Sequence, residues 1–460
     1  MTVNSTNSDE FVTLGTWWLP DNSKNKVSGI LKFSENKAML ELNGSFENLH
    51  GFQHPSDQIL IHGIGGKEEK ITLYNCYFTE VNGTASKSNV TYIFSAFFLG
   101  VHFQNKDEIK FSRINVKFSK LRTWIQTHGF SSDLEDSKIW VNRYTPPEDI
   151  EVKIDDSLLL KIIFQFSSTF DRDNTKKSIT EQDISIDIEV KTELTIFDFF
   201  KKIHHLRHFI SLGLMAPEYI TALKGFTEKY VQELNDQKVM IPIEIYFSQG
   251  KLPDNSTVNE TNMLFPFEFI QDNFEDFLKK WFELIDSIGL VGNLYFGTLY
   301  NFQSYGADRF FNIVATLESF HRIFRDDEIW TKEEFDKLKN SIGNAIEKKE
   351  DREAILGKIK YANELTLRNR LKQIIQEFDY VLTKEKGYDN SFIDLVVETR
   401  NYFAHYDPDS KEKAITDDNL PLFIKKLRVI VETCLLFEIG MNKDTIIKLI
   451  QKSMIQKNIR

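Results

Sequence analysis

Residues 398–408 read Glu398-Thr-Arg-Asn-Tyr-Phe-Ala-His-Tyr-Asp-Pro408. They follow a run of apolar residues whose spacing fits one face of a helix, which predicts a helix over Phe392–Tyr406. We expect this helix to end before Pro408, because a proline ring disfavours helical geometry in the residue that precedes it. The helix therefore carries Arg400 and His405 in its last two turns.

Helical patterns continue on both sides of this stretch, over residues 306–460. Thr331 and Glu334 have the spacing of a capping box, in which a hydroxyl and a carboxylate satisfy backbone N–H groups. Pro421 occupies a first-turn position, where its missing N–H group costs nothing. Residues 306–460 are therefore predicted to form an all-α bundle. Its predicted helices are 308–324, one from Thr331, Leu365–Leu382, Phe392–Tyr406, Pro421–Gly440 and one from Asp444.

The first third of the chain is predicted to be β-structure. Short runs of β-branched and aromatic residues alternate with Gly, Asn, Asp and Ser, and Asn43-Gly44 and Asn82-Gly83 are typical hairpin turns. This spacing predicts a sandwich or a barrel and does not distinguish the two. The predicted strands are Val27–Phe33, Met39–Leu42, Gln58–Ile64, Ile71–Phe78, Thr91–Phe103 and Ile109–Phe118.

The section between these regions is mixed. It contains helical spacing over Thr195–Leu214 and Asn273–Ile288, and then an aromatic, glycine-containing bridge to residue 305. Its predicted strands are Leu158–Phe166, Ile184–Thr192 and Val239–Phe247. Pro146-Pro147 marks a boundary. We therefore predict an α+β multidomain chain with a β-rich part at 1–147, a mixed part at 148–305 and the helical bundle at 306–460.

Composition excludes several classes of protein. The chain has 41% hydrophobic and 27% charged residues, which is typical of a globular protein and not of a disordered one. Neither a signal-peptide pattern nor a membrane-spanning apolar run occurs, and the two cysteines lie far apart. We therefore expect a cytoplasmic protein that does not bind a membrane.

Charge is unevenly distributed along the chain. The net charge is −11, yet residues 308–460 carry 27 basic and 27 acidic residues, so the acidic excess lies before residue 308. A nucleic-acid enzyme needs only a local basic groove. The neutral C-terminal third is therefore compatible with RNA binding without indicating it.

Arg400 and His405 are the strongest candidates for catalytic residues. A neutral imidazole can take the proton of a ribose 2′-OH, and a guanidinium can stabilise the charge that grows on the attacked phosphate. The spacing alone is weak, because a surface arginine and a histidine that favours the helix dipole would look the same. Five residues on a helix also place the two side chains about 140° apart. Arg400 must swing, the helix must end near Ala404, or a second subunit must complete the site.

The residues at both ends of the chain resemble a known family. The segment from Asp308 onward resembles the HEPN superfamily, whose ribonucleases carry an Arg-x4–6-His motif near a helix end, and Arg400-Asn-Tyr-Phe-Ala-His405 fits it. Ala315-Thr-Leu-Glu-Ser-Phe-His-Arg322 and Leu367-Arg-Asn-Arg-Leu371 look like parts of the ApeA-like HEPN group. Gly15-Thr-Trp-Trp-Leu-Pro20 and the following strand resemble the start of the ApeA N-terminal domain.

The resemblance implies an anti-phage abortive-infection protein. Its HEPN nuclease would be held in check by an N-terminal sensor, released by a phage-derived trigger, and would then cut host RNA, with tRNA as the expected target. HEPN nucleases usually form dimers in which two motifs face one cleft. By analogy Asn401 would orient phosphate or His405, and Tyr406 would contact a base or pack. Glu318 would reach the cleft or serve only in capping and packing. No metal or other cofactor is expected.

Two alternatives remain. The bundle could be a non-catalytic module that binds RNA or protein, with a β-domain that recognises a ligand. His204, His205 and His208 lie on a predicted helix, where a structural or solvated cluster is favoured over a metal site. Finally, Gly63-Ile-Gly-Gly-Lys67 lacks the spacing of a phosphate-binding loop, which favours a hairpin turn.

Overall fold

The computed structural model describes residues 10–34, 37–46, 59–84, 87–135, 139–170, 178–249, 258, 260–301, 304–326, 328–406, 411–415 and 418–459. The chain divides into two compact units. The first takes in the chain as far as Ser211, with Glu218–Glu260 and Pro266–Glu275, and the second comprises Leu212–Pro217, Thr261–Phe265 and Asp276–Arg460. The first unit is rich in strands and the second is helical, which confirms the predicted α+β class.

The strands are separated by α-helices at two places, at Leu121–Trp124 and at Ile196–Leu214. In chain order they are β1 (Phe11–Trp18), β2 (Val27–Ser34), β3 (Lys37–Leu42), β4 (Ile59–Gly65), β5 (Lys70–Thr84), β6 (Lys87–Ile93), β7 (Ala96–Leu99), β8 (Lys110–Phe118), β9 (Phe130–Glu135), β10 (Ile139–Tyr144), β11 (Ile150–Lys153), β12 (Leu158–Phe170), β13 (Ser178–Thr195), β14 (Ile220–Phe226), β15 (Val231–Leu234), β16 (Gln237–Met240) and β17 (Ile243–Phe247).

Six of these strands close into a barrel. The order around it is β5-β4-β1-β2-β3-β6, and the pairing of β6 with the second half of β5 completes the ring. The first half of β5 pairs instead with β7, from which an open sheet continues as β17-β14-β8-β13-β12-β11. The sequence left sandwich and barrel open, and the structure shows the barrel. The sheet also continues past Pro146-Pro147 into β11–β13, while the boundaries at 147 and 305 stay predictions.

Three sequence-based assignments in this unit need correction. The segment Thr91–Phe103 is interrupted at Phe94 and Ser95 and forms β6 and β7. Asn82-Gly83 lies within β5, paired with Asn89 and Ser88 of β6, and is not the turn itself. The segment Val239–Phe247 belongs to two strands of different sheets, because Pro242 separates them and has no N–H group to donate to a ladder.

The barrel core is built around Trp17. This side chain is fully buried, and its Nε1 donates to the carbonyl of Gly29 at 3.1 Å. Gly63 of β4 lies directly opposite Trp17, and a Cβ added there would lie 2.2 Å from the indole ring. The glycine run that begins at Gly63 then turns into β5, with the Gly65 N–H donating to the Glu69 carbonyl at 3.0 Å. It is therefore a hairpin turn, as the sequence favoured.

The helices of the chain are mostly in the second unit. In chain order they are α1 (Leu121–Trp124), α2 (Ile196–Leu214), α3 (Phe267–Ile270), α4 (Phe274–Ile288), α5 (Leu290–Tyr300), α6 (Gly306–Phe324), α7 (Lys332–Ala345), α8 (Lys349–Lys358), α9 (Leu367–Glu377), α10 (Asn390–His405), α11 (Leu420–Glu438) and α12 (Lys443–Gln456). Within the described ranges, none of them combines the length and hydropathy needed to cross a lipid bilayer.

The helical unit is organised around α6 and α11. The first of these contacts α5, α9, α10 and α11, and the second is buried on all sides over residues 429–436. The capping box is present, because the Thr331 hydroxyl and the Glu334 carboxylate each bond the other's backbone N–H. The bridge before residue 305 is largely helical (α5), contrary to expectation. The sequence did not predict this helix because Gly292 and Gly297 have low helix propensity.

The contact between Gly63 and Trp17 yields a stability prediction. We expect Gly63→Ala to lower the free energy of unfolding of the barrel by about 1–3 kcal/mol, because the new methyl group overpacks the indole. Gly66→Ala is the matched control. Its Cβ would meet nothing closer than 3.6 Å, so its effect should stay within about 0.5 kcal/mol. Urea unfolding followed by tryptophan fluorescence measures both, and equal midpoints would contradict this packing.

Candidate functional site

Helix α10 is bounded by two well-defined caps. It begins at Asn390, where the Asp389 carboxylate accepts from the Phe392 N–H at 3.0 Å. It ends at His405, because Tyr406 adopts a left-handed conformation with φ of 52° and its N–H donates to the Tyr402 carbonyl at 2.7 Å. Compared with the predicted helix over Phe392–Tyr406, the observed helix begins two residues earlier and ends one residue earlier.

The start of α6 positions Arg400. The guanidinium lies over the Phe311 ring, with 5.9 Å between Cζ and the ring centroid, and its Nη1 donates to Asn401 Oδ1 at 3.4 Å. Phe310 packs edge-on against Phe403 of α10 at 5.8 Å. Arg400 is half-buried as a result, and the guanidinium is held close to the bundle surface.

His405 lies on the last turn of α10 and is exposed. The helix is regular through His405, so the two side chains leave it about 140° apart. Within the described part of the chain, no hydrogen bond joins Arg400 to His405. An early helix end at Ala404 therefore does not realign the pair. Two of the three ways to bring the pair to one substrate remain: Arg400 swings, or a second subunit completes the site.

Thr399 anchors the chain that follows the motif. Its side chain is fully buried, and its hydroxyl donates to the Leu395 carbonyl at 2.7 Å while accepting from the Ile415 N–H at 2.9 Å. Ile415 is itself buried. This bond holds residues 411–415 against α10 after the chain has passed His405. The signal in the sequence was a hydroxyl on the otherwise apolar face of the helix, which sequence reasoning did not use.

The three supporting residues are placed differently. Asn401 is half-buried beside Arg400, whereas Tyr406 is 76% exposed and touches Tyr402 edge-on at 5.8 Å. Glu318 lies on α6 two turns beyond the ring that contacts Arg400, about 10 Å along the helix axis. Its carbonyl accepts from Arg370 at 3.5 Å, and no described contact brings its carboxylate to the motif. Asn401 and Tyr406 therefore adjoin the candidate pair, and Glu318 does not.

The start of α6, which contacts Arg400 and Phe403, lies beside the start of α11. A Cβ added at Gly306 would lie 3.1 Å from Leu420, so the first turns of α6 and α11 are neighbours. Neither start has a side-chain cap, since Tyr305 and Asn419 provide no hydrogen bond to it. Uncapped N–H groups at a helix start favour anions. The first turn of α6 also carries Asp308, whose negative charge works against an anion there, so these helix starts do not by themselves make a phosphate site.

The histidine cluster of α2 has a different character. His205 and His208 are buried, and burial together with the charge of Arg207 holds the pKa of His208 well below its ordinary value. Across the described ranges, no group of three or more His, Cys, Asp or Glu side chains could hold a metal ion. The structure thus provides no third ligand for His204 and His208.

Two protein-family models match the chain. The family model described as ApeA N-terminal domain 1 matches residues 13–281, more than half of the chain, and the model described as Apea-like HEPN matches residues 311–445. The chain belongs to the ApeA family. No curated protein and no solved structure matches it. The HEPN match includes Arg400 and His405. Because HEPN domains are generally nucleases, the ApeA assignment supports an RNase-type enzyme of anti-phage defence.

The bond between Thr399 and Ile415 gives a prediction about the stability of this ApeA protein. Thr399→Val should lower the free energy of unfolding of the helical unit by about 1–3 kcal/mol, because the buried Ile415 N–H loses its acceptor. Thr316→Val is the matched control. Its hydroxyl is also buried and bonds only the carbonyl of Asn312, so this variant should cost less than about 0.5 kcal/mol.

Hydrogen exchange distinguishes the two variants. In Thr399→Val the amide of Ile415 should exchange faster than in the unmodified protein, whereas in Thr316→Val its rate should not change. Equal stability losses, with no change in exchange at Ile415, would show that the hydroxyl does not anchor this segment.

Proposed function

We propose that this ApeA protein is an endoribonuclease that cuts RNA without a metal ion through Arg400 and His405. The observation that carries the proposal is the Arg-x4-His motif at the exposed end of α10, inside the segment that matches the Apea-like HEPN model. His405 is open to solvent and hence to a large substrate such as RNA.

The proposed chemistry is an internal transesterification. The neutral imidazole of His405 removes the proton of a ribose 2′-OH, whose oxygen attacks the adjacent phosphorus. The bond from phosphorus to the 5′-oxygen of the next nucleotide breaks, and that oxygen takes a proton from water. The guanidinium of Arg400 donates to the phosphoryl oxygens, where negative charge increases in the transition state. The products carry a 2′,3′-cyclic phosphate and a 5′-OH.

We infer further that two copies share one cleft. The 140° divergence of Arg400 and His405 separates them within one chain. Large apolar side chains are also exposed around the motif, which suits a protein interface. They are Tyr305 at 82%, Tyr406 at 76%, Leu422 at 39% and Phe311 at 38% exposure. A homodimer, or a higher homo-oligomer formed through the HEPN domain, would cover these side chains and bring Arg400 of one copy towards His405 of the other.

The biological role follows from the family. We propose abortive infection in the cytoplasm, in which a phage-derived trigger acts on the N-terminal unit and the nuclease then cuts host RNA, with tRNA as the expected target. The surplus of acidic residues before residue 308 supports assigning RNA contact to the helical unit, because RNA is a polyanion.

Substitutions at the motif test the enzyme assignment in cells. Growth arrest during phage challenge or overexpression should be lost in His405→Ala and Arg400→Ala, with RNA cleavage reduced at least about 100-fold. Arg400→Lys should be intermediate, since lysine keeps the charge but not the fork of donors. His128→Ala, which removes an exposed histidine of the other unit, is the control. Arrest by folded His405→Ala would instead favour a non-catalytic binding module.

Coexpression of two inactive variants tests the shared cleft. If a site takes Arg400 from one copy and His405 from the other, a mixed dimer of Arg400→Ala and His405→Ala retains one complete site. Growth arrest and RNA cleavage should then return in part, with activity in only some of the dimers. Two variants that stay inactive together, yet copurify as a mixed dimer, would place both residues of a working site in one chain.

A further inference from the structure

The open sheet of the N-terminal unit has one apolar and one polar face. In β8 the buried Ile114 and Val116 alternate with Arg113, Asn115 and Lys117, and β13 alternates in the same way. Register brings the polar residues of neighbouring strands side by side. Asn115 pairs with Asp187 on one side and with Lys224 of β14 on the other. The polar face is therefore a continuous patch contributed by several strands.

The floor of this patch is a fully bonded network. Asp187 is 2% exposed, and its two carboxylate oxygens accept from Arg113 at 2.7 Å and from Asn115 at 2.6 Å. Asn115 also donates to Ser185 at 2.9 Å. Lys117 forms an ion pair with Asp183. Carboxylates on an ordinary solvated sheet face are exposed and mobile, whereas these are neutralised and held in place.

Two adjoining cavities lie over this network, with volumes of about 290 and 230 Å³. Both are lined by Lys117, Asp183 and Lys224, so they form one trough. The larger cavity alone is at the small end of the volume range for ligand pockets, so the trough has room for a molecule about as large as a mononucleotide.

The charges that remain available in the trough favour an anion. Lys224 is half-buried and has no carboxylate partner within the described ranges. Arg122 lines the same trough, and its Nη1 donates to the backbone carbonyl of Gln182 at 3.3 Å, a neutral partner that does not cancel its positive charge. Glu244 lies across the strand pair from Lys224 and accepts from the Tyr246 hydroxyl at 3.0 Å. The full lining carries four cations and three carboxylates.

We propose that this trough binds a small organic phosphate of mononucleotide size, with Lys224 and Arg122 contacting the phosphate. A phosphate monoester carries about −1.5 to −2 charge at neutral pH, so it can pair with both Lys224 and Arg122. Its oxygens accept several hydrogen bonds at once, so the Lys and Arg donors that line the trough can both reach it. Asp183 and Asp187 do not repel it strongly, because each is neutralised by its own cation. Glu244 lies across the strand pair from Lys224, so its negative charge reduces the positive charge that the trough offers to the phosphate.

Calorimetric titration of the full-length protein tests the proposal. The probes are the four ribonucleoside monophosphates, with adenosine as the neutral control and glutarate as a carboxylate of similar charge. At least one monophosphate should bind at one molecule per chain, and adenosine and glutarate should not. Adenosine binding as tightly as its monophosphate would overturn the proposal. So would glutarate binding alone, or no binding by any probe at about 1 mM.

Charge variants test whether binding changes in the direction expected for an anion. Lys224→Gln should weaken binding at least about 10-fold, through loss of a charge-assisted hydrogen bond. Glu244→Gln should strengthen it by about threefold or more, since it removes the opposing carboxylate. Lys238→Gln, at an exposed lysine of β16, should change nothing. Weaker binding in Glu244→Gln would contradict the anion assignment. The same titration with Arg400→Ala should be unchanged, because the monophosphate is held in the trough and not at the proposed nuclease site. Loss of binding in Arg400→Ala with normal binding in Lys224→Gln would overturn the trough and leave the proposed nuclease standing.

Discussion

An α-helix turns by 100° per residue, and this constraint governs the candidate site because α10 stays regular through His405. The left-handed Tyr406 ends the helix one residue too late to bring His405 round to the side of Arg400. The Thr399 hydroxyl then secures the returning chain on the opposite, buried face. The regular helix keeps the two motif residues separated in one chain, and the case for a shared cleft rests on that separation.

Packing with α6 orients Arg400 of the candidate pair. Arg400 is held over Phe311, so its guanidinium loses less conformational entropy on binding a phosphate than a free arginine would. His405 is exposed and takes its position from the helix end alone. The site thus pairs one oriented cationic group with one accessible imidazole.

Sequence reasoning identified the elements with strong local signals. The capping box at Thr331 and the alternation in β13 depend on neighbours within a few residues, and both are present. The motif at the end of α10 was likewise visible, although its catalytic role stays a prediction. Helix α5 was missed because of its two glycines, and the closure of β5 on β6 was not distinguishable from a sandwich.

Other features depend on residues that are distant in sequence. The Thr399–Ile415 bond spans 16 residues, and the contact between Asn115 and Asp187 spans 72. Such pairs are set by register and by the packing of whole elements, which a local pattern does not encode. The polar trough is the clearest case, because alternation in each strand looks like an ordinary solvent-facing sheet until the strands are placed side by side.

The chemistry of the RNA ends tests the central claim most directly. RNA from cells that express the unmodified protein or His405→Ala during phage challenge would be mapped at its new 3′ and 5′ ends. Metal-free attack by the 2′-OH predicts 2′,3′-cyclic phosphate and 5′-OH ends that depend on His405. New ends with 3′-OH and 5′-phosphate, which arise when water attacks with metal assistance, would contradict the proposed roles of Arg400 and His405.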